Sequence, residues 1–144
     1  MILDAYNLYS DEQAVTAAAE STNILDHEEP RDMGVGERLY IFCVVDVAMT
    51  DGGSDSTVEV KLQTDDNESF SSPTDGQVLF TFPATSPVGT RRYVAIAPDA
   101  LNERYSRLYF TPANGNLTTG SFTAGIVKDI DKVNFYADGI TISK

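Results

Sequence analysis

Tryptophan is absent, cysteine and histidine occur once each, and lysine plus arginine number only 10 against 22 aspartates and glutamates in 144 residues. Each shortage closes off a class of function. The formal net charge of −12 argues against a nucleic-acid binder, because phosphate contacts require clustered Lys and Arg, and Arg91-Arg92 is the sole adjacent basic pair. An anionic membrane surface is disfavoured on the same ground. With one cysteine, Cys43, no intrachain disulfide can form; its place in the apolar run 39–45 reads as a small buried hydrophobe, and a reducing compartment fits. One Cys and one His are too few soft ligands for zinc, and no cofactor is expected. No run approaches the ~20 apolar residues of a membrane span, and the opening residues lack the basic and apolar regions of a signal peptide. A soluble protein made in the cytoplasm is expected.

What is present is an ordinary globular composition, 42% apolar and 10% aromatic, in a chain long enough to bury roughly 68–70% of its unfolded surface. One domain with one core follows. The clearest local signal is Thr57-Val58-Glu59-Val60-Lys61-Leu62-Gln63, whose period-two alternation is that of a half-buried strand. Residues 39–47 are apolar almost throughout, which suits a strand covered on both faces. The turn Asp51-Gly52-Gly53-Ser54-Asp55 separates the two, and they read as a hairpin. Further strands are expected over 77–82, 92–97, 104–111 and 121–129, divided by Pro83, Pro87-Val88-Gly89, Pro98-Asp99 and Pro112 to Asn116. This spacing points to an all-β sandwich or barrel.

Only Asp11–Ser21 and Pro98–Glu103 carry helical signal, and the Ala17-Ala18-Ala19 segment could hold about two turns without offering an apolar stripe. Residues 1–20 read as an N-terminal arm preceding a sandwich over 21–144. In that arm Met1, Ile2, Leu3, Tyr6, Leu8 and Tyr9 form a dense apolar group with no partner in its own segment. Such a terminus either docks on a neighbour or supplies an edge strand to its own domain.

Signals for catalysis are sparse. The single histidine, His27, lies in the charged stretch 26–37 and reads as a solvated loop residue; no nucleophile-elbow pattern accompanies it. Asp51, Asp55 and Asp65-Asp66-Asn67-Glu68 could supply oxygens to calcium, but the spacing of a calcium-binding loop is missing and solvated turns are the simpler reading. A hydrolase with paired carboxylates has only the abundance of acids in its favour.

Three blocks together resemble a known family: Met1-Ile2-Leu3-Asp4 with 11–16, Ser21-Thr22-Asn23-Ile24-Leu25-Asp26, and the stretch 62–74. They look like the capsid cement proteins of short-tailed phages, of the Bordetella-phage and epsilon type, and residues 103–110 and 120–127 are similar to that family's closing strands. The resemblance runs from residue 1 to about 129, and the tail 131–144 falls outside it. It implies a jelly-roll sandwich, not an enzyme, that sits on the outer surface of an icosahedral virion. There it would bind the major capsid protein of the HK97-like fold, staple neighbouring subunits and stabilise the mature shell. It also implies self-association, with a dimer preferred and a trimer the next choice. On this reading the partner-binding residues are Met1, Ile2, Leu3, Tyr6, Leu8 and Tyr9, with Arg91 and Arg92 pairing to capsid carboxylates. The rival reading is a head-surface jelly roll that binds glycans or host receptors with calcium.

Overall fold

The computed structural model describes residues 4–29, 38–97 and 99–128. After a short 3-10 turn at Ala5–Asn7, the regular elements are strands: β1 (Leu8–Ala14), β2 (Ala19–Glu20), β3 (Leu25–Asp26), β4 (Tyr40–Thr50), β5 (Thr57–Asp65), β6 (Thr74–Phe82), β7 (Arg91–Ala95), β8 (Tyr105–Ala113) and β9 (Thr119–Val127). One sheet has the order β1-β9-β4-β7; the other runs β2-β8-β5-β6, with β3 beside β2 along β8. All pairings are antiparallel. With β2 and β3 counted as one edge, this is the strand order of a jelly roll, and the expected single-domain β-sandwich is the fold.

The alternation in β5 works as its sequence requires: Val58, Val60 and Leu62 are buried. In β4 the inner residues Ile41, Cys43 and Val45 enter the core, while Phe42 on the other face joins Leu8 and Val127 in a second apolar cluster. Both faces of this strand are therefore covered, and burial pushes the Cys43 thiol well above its ordinary pKa, with Asp46 adding to the effect. Between the sheets, Phe122 packs against Phe82 and Phe110 with ring centroids 5.3 and 5.4 Å apart, the tilted geometry that aromatic pairs favour.

Three expectations are corrected. The first concerns the hairpin: β4 and β5 lie in different sheets. Their inner faces are both apolar, so stacking them face to face buries more than pairing them edge to edge. The connection crosses between layers at Asp51, whose Oδ2 accepts from the Asp55 and Ser56 N–H groups at 3.2 and 3.1 Å and from Ser56 Oγ at 2.8 Å.

The second is the arm. From residue 8 onward the chain belongs to the sandwich: β1 pairs with β9, Tyr9 is fully buried, and Leu8 is nearly so. Neighbouring residues on a strand point to opposite faces, so Tyr9 enters the core while Leu8 enters the outer cluster. Asn23 fastens the segment, its N–H donating to Tyr9 O at 2.9 Å and its amide nitrogen to Leu8 O at 3.1 Å. The third is the helical signal. Residues 16–18 are a bend and Ala19 is in β2, because alanine propensity without a buried stripe gains less than strand pairing that inters Tyr9 and Val15. Residues 99–101 likewise form a turn that seats Leu101 in the core.

Gly125 is the slot through which the outer cluster closes. A Cβ there would lie 2.6 Å from Asn7 O, 2.9 Å from Leu8 Cδ2 and 3.1 Å from Phe42 Cε1. Gly125→Ala is therefore expected to cost about 1–3 kcal/mol through overpacking. Thermal unfolding should reveal a lowered Tm, while Gly52→Ala, with nothing within 4 Å of the added carbon, leaves it near the wild-type value.

Candidate docking surface

The residues that sequence singled out for chemistry are engaged in holding the fold. His27 is half-buried rather than solvated, and its Nε2 lies 2.7 Å from Ser106 Oγ, which lies 2.8 Å from the Tyr9 hydroxyl. Ser106 is fully buried, so its hydroxyl bridges β8 to β1 and to the end of β3 and is closed to a substrate. Burial raises the Tyr9 pKa, with the Ser106 hydrogen bond opposing in part, and the phenol stays neutral. Beside this network Arg104 forks onto Asp26, Nε to Oδ1 at 2.9 Å and Nη2 to Oδ2 at 2.8 Å. The Arg104 hydrogen bond, with a second from the Glu28 N–H, holds the Asp26 carboxyl down at about 2.

The carboxylates weighed for calcium are likewise turn-formers. Asp51 anchors the crossover; desolvation works against its charge, but hydrogen bonds from Ser56, Asp55 and Gly53 outweigh it and lower its pKa. Asp65 accepts from the Ser72 N–H at 3.0 Å and from the Asn67 N–H at 2.9 Å, the Ser72 bond being the main cause of its lowered pKa. Its charge in turn raises the pKa of Asp66 through their shared hydrogen bond. The loop so closed tucks Phe70 beneath Arg107, whose guanidinium carbon is 4.2 Å from the ring centroid; Gln63 holds Arg107 at 2.8 Å and Asp75 at 2.6 Å. Among the described residues no group of three or more His, Cys, Asp or Glu side chains is arranged to hold a metal ion.

The docking residues divide sharply. Met1, Ile2 and Leu3 lie outside the described residues, as does the tail 131–144. Leu8 and Tyr9 are withdrawn as contacts because the domain itself buries them. Tyr6 stands out, 89% exposed, on the 3-10 turn that Asp4 caps by accepting the Tyr6 N–H at 3.0 Å. Arg91 and Arg92 are both exposed on β7, opposite Val44 and Cys43 of β4, and so point to opposite faces of that edge strand. The structure therefore keeps Tyr6 and the arginines on the surface but does not gather them with the rest of the predicted group.

Sequence reasoning missed Tyr93, 62% exposed, because a tyrosine in a strand reads as core. It also missed a groove of about 350 Å³ between the edges of β6 and β7, floored by Ile41 and Leu62, with Val78 and Val94 on its walls and polar Gln77 and Asp99 also lining it. No local pattern announces such a gap, which arises where two edge strands of different sheets diverge.

Charge is distributed unevenly over the sheet edges. β1 carries Asp11 and Glu12, β2 and β3 carry Glu20 and Asp26, and β6 carries Asp75; only β7 is cationic, with Arg91 and Arg92 and no acid. In comparisons with known proteins, residues 9–126 match the family described as Bbp16. No curated protein matches the chain.

The Asp26–Arg104 pair gives a pH signature. Because the folded-state pKa of Asp26 is depressed from 3.8 to about 2, its stabilisation is complete above the unfolded value and is lost as pH falls through that window. Asp26→Asn should lower the Tm modestly at neutral pH, as expected for an exposed pair. The difference from wild type should shrink below about pH 4 and vanish only below about pH 2; a difference independent of pH would refute the assignment.

Proposed function

Given that the chain belongs to the Bbp16 family, a family of phage proteins, we propose that it is a structural virion protein. In this reading it binds the outer surface of an HK97-like icosahedral capsid, bridges neighbouring major capsid proteins and stabilises the mature shell as a cement protein. Its partners are the major capsid protein and a second copy of itself. The observation that carries the reading is the polarity of the surface: a jelly roll acidic at three of its edges keeps one edge cationic, flanked by exposed Tyr93 and a groove with an apolar floor.

The physical work of such a protein is thermodynamic. A ligand that binds only the assembled, mature shell stabilises it by RT ln(1 + [L]/Kd), and contacts from one oligomer to several subunits reinforce one another through effective concentration. If the bridging site exists only where neighbouring subunits have come into register, binding selects the expanded form. Catalysis has no part in this. Arg91, Arg92 and Tyr6 are the contact residues retained from the sequence, since each is presented to solvent. The net charge of −12 keeps a surface protein soluble at many copies.

Co-sedimentation of the purified protein with unexpanded and expanded shells that lack it tests the reading. The expected result is saturable binding to expanded shells at a fixed ratio to capsid subunits, together with a raised temperature of shell disruption. Binding to neither form would overturn it, and a melting shift produced by sugars and abolished by a chelator would instead favour the glycan-binding alternative.

A further inference from the structure

Among the described residues nothing pairs with the side of β7 away from β4, and that side has the three properties that strand addition requires. The first is open backbone. Ile96 N–H donates to Leu39 O at 2.8 Å and Val45 N–H to Thr90 O at 2.9 Å, and the intervening register pairs Val94 with Ile41 and Arg92 with Cys43. Hydrogen-bonded and non-hydrogen-bonded pairs alternate along an antiparallel ladder. Arg92 and Val94 therefore bond to β4, while Tyr93 and Ala95 turn their N–H and C=O groups outward. Among the described residues β4 is the only strand paired with β7.

The second property is a place for side chains. A strand laid beside β7 sits about 4.8 Å farther out, over the mouth of the groove between the β6 and β7 edges. Its alternate side chains would point inward past Val94 toward Ile41 and Leu62 and outward beside Tyr93. Val78, 43% exposed on the facing lip, would be covered as well.

The third is charge. Arg91 and Arg92 stand at the start of the strand, one on each face, both exposed, and β7 itself carries no acidic residue. A second copy meeting this edge with its own β7 would set arginine against arginine. Meeting it with the acidic β1 edge would give a head-to-tail contact that closes only if the rotation allows. The complementary occupant is an extended segment of another protein that carries carboxylates at one end and apolar residues beyond them.

We propose that β7 is a strand-addition site for an extended acidic segment of the shell protein, which joins the β1-β9-β4-β7 sheet as a fifth strand. This rests on the capsid-binding function proposed above and specifies how the contact is made.

The experiment uses the full chain and expanded shells lacking it. Hydrogen exchange of the wild-type protein, free and shell-bound, is expected to slow at the Tyr93 and Ala95 amides by at least about tenfold on binding. Two variants accompany it. Arg91→Glu with Arg92→Glu should weaken shell binding by about 10–100-fold, in line with truncated or reversed charge pairs at interfaces. Tyr93→Pro removes an outward N–H without removing a bond to β4, an arrangement proline tolerates on an edge strand, and should weaken binding about tenfold. Tm and sedimentation velocity verify that each variant keeps its fold and oligomeric state; the wild-type exchange measurement stands even if Tyr93→Pro fails to fold. Wild-type binding with unprotected β7 amides and unchanged variant affinity would overturn the strand-addition site alone. Loss of self-association in place of shell binding would make the occupant a second copy and overturn it too. Failure of the wild-type protein to bind shells would overturn the functional reading and this site with it.

Discussion

The double-sided burial of β4 is the constraint from which the remaining architecture follows. Ile41, Cys43 and Val45 must be covered by the opposite sheet, and Phe42 must be covered on the outside. A strand with these demands can only be central, so β9 and β7 take its two sides and β5 is sent across to the other layer. The outer requirement then determines the start of the fold: Leu8 reaches Phe42 over Gly125, which draws β1 onto β9 and places Tyr9 on the core side. Removing one large side chain from such a site typically costs 2–5 kcal/mol, so these positions are fixed by the sandwich itself and have no freedom to serve a partner.

Polar groups follow the same logic. Buried hydroxyls and ring nitrogens are costly unless paired, and the Tyr9 hydroxyl, Ser106 and His27 satisfy one another in a chain that spans both sheets. The Gln63, Arg107 and Asp75 contacts do the equivalent at the rim, with Phe70 packed beneath the guanidinium. Residue types familiar from active sites are thereby used to satisfy hydrogen bonds between strands.

This division also explains what could be read from the chain. The strands β4 to β9 announce themselves because alternation and turn residues are local signals, and Val58, Val60 and Leu62 lie where their period puts them. Sheet membership does not announce itself: an apolar strand followed by a turn and another apolar strand is the same pattern whether the turn closes a hairpin or crosses between layers. The dense apolar start was legible as something needing a partner, but not that β9 is that partner for Leu8 and Tyr9. His27 is satisfied by Ser106, 79 residues away in sequence, a distance no local pattern spans. For the surface, Arg91 and Arg92 were visible as the sole basic pair, whereas Tyr93 and the groove depend on the divergence of two edge strands and could be found only in three dimensions.

Edges are where a sandwich is vulnerable, and each edge here is managed differently. β1 has acidic residues and register shifts, β2 and β3 are only two residues long, and β6 has an acid and shifts of its own. Charges, interruptions and shortness all discourage uninvited strands. The two arginines of β7 discourage a second β7 just as firmly, but on a chain of net charge −12 they single out one place that attracts carboxylates. At physiological ionic strength the Debye length is about 8 Å, so the overall negative field fades within a few residues of the surface and the local sign at the edge decides contact. An acidic protein can in this way accept an acidic strand at one edge despite its overall negative charge.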